Sequence, residues 1–180
     1  MTDAAPTNFS WLCRLMAWLA TIGFFLSPAL NAACYLWPGS RDSLNFDVDH
    51  MGAMLNDSVP LPYRLAALVF SLGSVAFTMW ALWSLRAVFL LYAKGEVFSQ
   101  HALKLLNNVA VALFAGVIVG FCVHAPISLL LTWSIPDRRS ISLDFGNDDV
   151  ATLFAAGVVL VIARVMVEAR RLADENAKFV

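Results

Sequence analysis

The sequence has few charged residues for its length, and this shortage excludes an ordinary water-soluble domain. Asp, Glu, Lys and Arg make up 14% of the 180 residues, whereas soluble domains carry about 25%. Apolar residues make up 60% of the chain, so there is too little polar surface to cover a globule in water. We therefore expect a protein that is solvated mainly by lipid.

Cysteine is scarce, and its placement excludes one class of small membrane enzyme. The three cysteines are Cys13, Cys34 and Cys122, and no two of them form a Cys-x-x-Cys pair. An enzyme that generates disulfides needs paired thiols in its outer loops. Cys34 and Cys122 either pair with each other or, as we expect, are buried as small apolar side chains.

Motifs that hold a nucleophile, a phosphate or a metal ion are also lacking. The chain has no nucleophile elbow, phosphate-binding loop or His-Glu-x-x-His pattern. Haem ligation by two histidines needs both at one depth, and the pattern places His50, His101 and His124 apart. The acidic outer segments lack the spacing of a calcium loop. We expect no enzymatic activity, no metal and no cofactor.

Four long apolar stretches are the main feature that the chain does have. A helix needs about 20 mostly apolar residues to cross a bilayer. The predicted spans are residues 12–37, 64–92, 103–134 and 149–170. The segments between them are too short to bury a core of their own. The sequence thus predicts one integral membrane domain over residues 1–180, ending in an amphipathic cytoplasmic tail at 168–180.

The distribution of basic residues predicts the orientation of the spans. With both termini in the cytoplasm, the inner side carries Arg14, Arg86, Lys94, Lys104, Arg164, Arg170, Arg171 and Lys178. The outer side carries Arg41, Arg64, Arg138 and Arg139. Because basic residues near span ends favour the cytoplasmic side, we expect a multi-pass protein of the inner membrane with both termini cytoplasmic.

A weak internal duplication suggests how the spans are arranged. Ser-Pro-Ala-Leu at 27–30 and Ala-Pro-Ile-Ser at 125–128 are each followed by a proline ten residues later and then by Ser-Leu-(Asn/Asp)-Phe. Apolar and polar residues alternate over 44–49 and 140–145, as in half-buried strands. We predict an all-α membrane protein, a four-helix bundle built as two parallel hairpin repeats, with a small two-stranded outer β element.

The connection between the second and third spans is predicted to be a tight turn. Gly95 is placed to end the second helix in the left-handed conformation. Ser99 is placed to accept a hydrogen bond from the free amides of the third, with Phe98 and Leu103 forming a hydrophobic staple. Within spans one and three, Pro28 and Pro126 each remove a helix hydrogen bond and predict kinks.

Polar residues inside or near the membrane supply the candidate sites. His124 and Asn31 lie at comparable depth in the outer half and are predicted to form an intramembrane polar site. A predicted inner polar cluster consists of Arg86, Glu96, Arg164 and Glu168. A predicted partner-binding tail consists of Arg171, Leu172, Glu175 and Phe179. On the third span, Ala112, Gly116 and Gly120 predict a close helix contact, either within the bundle or between protomers.

Two motifs resemble a known family. The turn Lys-Gly-Glu-Val-Phe-Ser at 94–99 and the tail at 165–180, which contains Glu-Ala-Arg-Arg-Leu-Ala-Asp-Glu-Asn, resemble a bacterial four-span membrane family known as domain of unknown function 2975. The resemblance implies a bacterial inner-membrane protein with four helices. Members are often encoded beside a small helix-turn-helix regulator, which implies a protein partner at the cytoplasmic face. No catalytic residues are carried over.

These observations favour a non-enzymatic role. We expect an accessory, sensory or regulatory membrane protein that acts through protein partners, without direct nucleic acid binding, as a monomer or a homo-oligomer. The alternative is a small transporter or channel subunit with Pro28, Pro126, His124 and Asn31 around its pathway.

Overall fold

The fold consists of four long helices. The computed structural model describes residues 7–37, 59–97, 99–133 and 146–176. The helices are α1 (Thr7–Leu36), α2 (Leu61–Ala93), α3 (Gln100–Trp133) and α4 (Asn147–Asn176). Each contains a segment that is long and apolar enough to cross a membrane. The four predicted spans are therefore confirmed as helices, and α4 continues without a break from the fourth span into the tail.

The apolar side chains point outward to an extent that water would not allow. Phe154 is 73% exposed, Trp18 70% and Phe25 66%, all of them on helices that carry a candidate span. Burying one such side chain is worth about 1.5–3 kcal/mol in water. A surface with many of them is stable only where lipid acts as the solvent.

The helices pack in chain order. Backbones approach within 8 Å between α1 and α2, between α2 and α3, and between α3 and α4, but not between other pairs of these helices. We call the end of the helices that holds the turn at 94–99 the turn end, and the opposite end the loop end. At the turn end side chains of α2 and α4 also meet, and Tyr92 Oη lies 3.8 Å from Met166 Sδ.

The contact between α2 and α3 is the closest in the row. A Cβ added to Gly116 would lie 3.3 Å from Phe77 Cβ, and one added to Gly120 would lie 3.4 Å from Ser74 Oγ. Ala112, one turn before Gly116, is fully buried. The small residues predicted to mark a close contact thus face α2 within one chain. In lipid the hydrophobic effect does not drive helices together, so close van der Waals packing at small residues stabilises the contact instead.

Two clusters of apolar side chains, one near each end of the helices, pack neighbouring helices together. Near the loop end, Tyr35 of α1, Ala67 of α2 and Ile127 of α3 belong to one cluster. Near the turn end, Val88 of α2 and Ala163 of α4 pack together with Leu106 of α3. Three helices meet in each cluster, so each fixes the relative positions of neighbours that are not consecutive in the chain.

The turn between α2 and α3 has the predicted caps. Gly95 has a φ of +84°, the left-handed conformation that ends α2. The Ala102 amide donates to Ser99 Oγ at 3.1 Å, which satisfies one free donor at the start of α3. Phe98, the other half of the predicted staple, lies outside the described residues.

Two parts of the predicted architecture are not supported. The described residues contain four helices and no strand, and the predicted strands at 44–49 and 140–145 lie outside those residues. The division into two hairpin repeats is not supported either. α2 packs against both α1 and α3, so the closest pair joins the two proposed halves. Pro28 and Pro126 both lie inside helices that run on past them.

Candidate functional site

A concave polar cleft lies at the turn end, between α3 and α4. Its volume is about 800 Å³. We call it the basic cleft. Its lining residues are Gln100, Leu103, Lys104, Asn107 and Asn108 of α3 and Ala163, Arg164, Val167, Arg170 and Arg171 of α4.

Side-chain size and helical spacing explain the cleft. The α3 residues recur at intervals of three and four, so they form one face of that helix. Ala163 and Leu103 are almost fully buried, 4% and 8% exposed, and they form the floor. Beyond the floor both helices carry long polar side chains, whose charged or polar heads can stay in water while their stems cover apolar surface.

The cleft is strongly basic. Four of its lining residues are Lys or Arg, and none is Asp or Glu. Arg171 Nη1 lies 3.6 Å from Glu168 Oε1 outside the lining, but both side chains are more than half exposed, at 66% and 58%, so this pair neutralises little. Within the described part of the chain, neither Lys104 nor Arg164 makes an ion pair. The cleft therefore attracts anions.

The residues of the predicted inner polar cluster have different neighbours in the structure. The Arg86 guanidinium carbon lies 4.9 Å from the centroid of the Trp83 ring, a cation–π contact within α2. Arg164 lines the basic cleft, Glu168 pairs with Arg171, and Glu96 is exposed in the turn. In the described structure, no ion pair joins Arg164 to Glu168 or Arg86 to Glu96.

The predicted partner-binding tail is only partly described. Arg171 is exposed, and Leu172 is 53% exposed at the end of the described side chains. Glu175 lies within α4, but its side chain is not described, and Phe179 lies outside the described residues.

Asn31 has a partner other than the predicted one. The Ser71 hydroxyl donates to Asn31 Oδ1 at 2.8 Å and lies equally close to the Leu68 carbonyl oxygen. His124 is half-buried on α3, and the backbones of α1 and α3 do not approach each other. The structure thus places Asn31 against Ser71 of α2, and no hydrogen bond joins Asn31 to His124 among the described residues.

Sequence reasoning missed Ser71 and the basic cleft. Ala67 and Ser71 are small residues four positions apart on α2, both buried, and this spacing is typical of close helix contacts in membranes. The cleft had a comparable signal. Lys104, Asn107 and Asn108 share one face of α3, but only the packing order shows that α4 brings its arginines to that face.

Metal-ligand groups are not assembled in the described part of the chain. No group of three or more His, Cys, Asp or Glu side chains occurs there. The three cysteines are all free thiols. Most of the acidic residues of the outer segments lie outside the described residues.

Four apolar helices of membrane-spanning length, with an apolar exterior and charged groups at the turn end, define a multi-pass α-helical membrane protein. The model of one family, described as "Protein of unknown function (DUF2975)", matches residues 5–180. The chain belongs to this family. No curated protein and no solved structure matches the chain.

Proposed function

We propose that the protein is a non-enzymatic accessory, sensory or regulatory protein of a bacterial inner membrane, acting through a protein partner at its cytoplasmic face. The observation that carries the proposal is the concentration of exposed polar groups at the turn end, around the C-terminal part of α4. This part of the molecule can meet a partner in water, whereas the remaining described surface is mostly apolar.

Charge supports the turn end as the cytoplasmic end. Of the described basic residues, Arg14, Arg86, Lys94, Lys104, Arg164, Arg170 and Arg171 lie toward the turn end, and Arg64 lies at the loop end. Basic residues near span ends are retained on the cytoplasmic side. This orientation makes the turn, the basic cleft and the end of α4 accessible to cytoplasmic proteins.

The end of α4 has the composition of a docking surface. We call Glu168, Arg171 and Leu172 the tail surface; all three are exposed. An exposed leucine beside charges of both signs is a common arrangement in protein interfaces, where apolar contact gives affinity and charged rims select the partner. By family resemblance, a small helix-turn-helix regulator is the partner we would test first.

A site-specific photocrosslink tests the proposal. A photoreactive amino acid at Leu172 is expected to capture one defined protein in native membranes, and Arg171→Glu is expected to abolish that capture while membrane insertion persists. The matched control is the same photoreactive residue at Val161, which is 61% exposed on the spanning part of α4. Equal protein capture at both positions, or none at position 172, contradicts a partner at the tail surface.

The hydrogen bonds of the buried serines Ser71 and Ser128 give no support to the transporter or channel alternative. Such a protein needs polar groups that face water along a path through the membrane. Two buried serines of the described spans are hydrogen-bonded within the protein instead. Ser71 donates to Asn31, and Ser128 donates to the Ala125 carbonyl oxygen of its own helix at 2.9 Å.

A further inference from the structure

We propose that the basic cleft is a binding site for an anionic phospholipid, with the headgroup phosphate between Lys104 and Arg164 and one acyl chain along the groove between α3 and α4. The proposal does not depend on the protein partner, because Lys104 and Arg164 lie outside the tail surface and only Arg171 borders both.

The charge of the cleft selects a phosphate. Lys104 and Arg164 line the cleft from two helices, and neither makes an ion pair among the described residues. Asn107 and Asn108 add side-chain amides that donate hydrogen bonds to phosphate oxygens. Basic pockets between spanning helices are the sites where proteins hold anionic headgroups.

The position of the cleft favours a lipid over a soluble anion. The polar residues lie toward the turn end, at the level where we place the headgroups of the bilayer, and the same faces become apolar toward the centre of the helices. On α3, the positions that follow Asn107 and Asn108 on that face are Val111, Phe114 and Ile118, which are 45%, 53% and 50% exposed.

The face of α4 beside the cleft changes in the same way. Leu160, one turn before Arg164, is 39% exposed. Gly157 lies a further turn away, and a Cβ added there would meet nothing within 4 Å. From Lys104 to Phe114 the helix rises about 15 Å, roughly half the bilayer core, which is the depth that one acyl chain reaches. A free phosphate would use only the outer part of this groove.

Native mass spectrometry of the purified full-length protein, with phosphatidylglycerol or phosphatidylcholine added, tests the headgroup site. We expect phosphatidylglycerol to be retained and phosphatidylcholine to be lost. Lys104→Gln with Arg164→Gln is expected to weaken phosphatidylglycerol binding roughly 30-fold, because each basic group near an anionic headgroup changes binding about fivefold.

The matched control is Arg14→Gln with Lys94→Gln. It removes one arginine and one lysine from exposed positions at the same end of the molecule but outside the cleft. We expect this control to stay within twofold of the parent protein. An equal loss in both double variants overturns the site. If the cleft double variant does not fold, Lys104→Gln and Arg164→Gln are measured singly, each with an expected loss of about fivefold.

Three further measurements separate the lipid from other ligands. Gly157→Phe is expected to lower phosphatidylglycerol binding by occupying the groove, whereas millimolar inorganic phosphate should not displace the lipid. If phosphate displaces phosphatidylglycerol and Gly157→Phe leaves its binding unchanged, the lipid proposal is overturned in favour of a free anion. A photoreactive residue at Asn107 should label phospholipid in native membranes. Labelling of a protein there instead of lipid also overturns the proposal, whatever is found at Leu172.

Discussion

Substituting valine for Gly116 tests the packing of the row at its closest point. A Cβ at position 116 would lie 3.3 Å from Phe77 Cβ, whereas carbon atoms in contact prefer about 3.5–4.0 Å. Phe77 Cβ is attached directly to the backbone of α2 and cannot rotate away. The two methyl groups of valine extend about 1.5 Å further than Cβ, so α2 and α3 must separate or rotate.

The expected effect is a loss of about 2 kcal/mol in the free energy of unfolding, since overpacking of this kind costs about 1–3 kcal/mol. Gly116→Ala, which needs a smaller shift, should lose less than about 1 kcal/mol. The assay is unfolding of the purified protein from mixed micelles with increasing dodecyl sulfate, followed by circular dichroism.

Gly157→Val is the matched control, since a Cβ there meets nothing within 4 Å. The control should stay within about 0.5 kcal/mol of the parent protein. Equal losses at positions 116 and 157 would refute the close contact of α2 with α3. A Gly116→Val protein of unchanged stability but altered oligomeric state would instead place the small residues between protomers.

Three further predictions use the same unfolding assay. A double-mutant cycle with Asn31→Ala and Ser71→Ala should give a coupling energy of about 0.6–1.7 kcal/mol, the range for hydrogen bonds between membrane helices; strictly additive losses contradict the bond. Gly95→Ala should lose about 1–2 kcal/mol because its φ is positive. Gly95→Asn should lose less, and equal losses would argue against a conformational cause. Ser99→Ala should lose about 1 kcal/mol through the missing cap, and the adjacent exposed Gln100→Ala serves as its control; no difference between the two contradicts the capping role.

The sequence was most informative where the physics is local. The length and apolarity of each span predict its helix, and the caps at Gly95 and Ser99 depend on residues within one turn of them. The pairing of Glu168 with Arg171 also follows from spacing alone, because residues three apart share a helix face.

The arrangement of the helices could not be predicted in the same way. In water, an apolar face identifies the side of a helix that is buried. In lipid, a helix such as α4 exposes Phe154 and Val161 to the acyl chains and buries Ala156 and Ala163 against α3. Hydrophobicity therefore does not tell which face has a protein neighbour. For this reason neither the contact of Asn31 with Ser71 on α2 nor the position of the α4 arginines beside the α3 face of Lys104 follows from the sequence.

Cysteine accessibility in sealed membrane vesicles tests most directly that the turn end is the cytoplasmic recognition surface. Cys13, Cys34 and Cys122 are first replaced by alanine, and single cysteines are introduced at Glu96, Leu172 or Asn147. An impermeant maleimide is expected to label positions 96 and 172 only from the cytoplasmic side and position 147 only from the opposite side. Labelling of position 96 from outside, or of positions 96 and 172 from different sides, contradicts a cytoplasmic turn end.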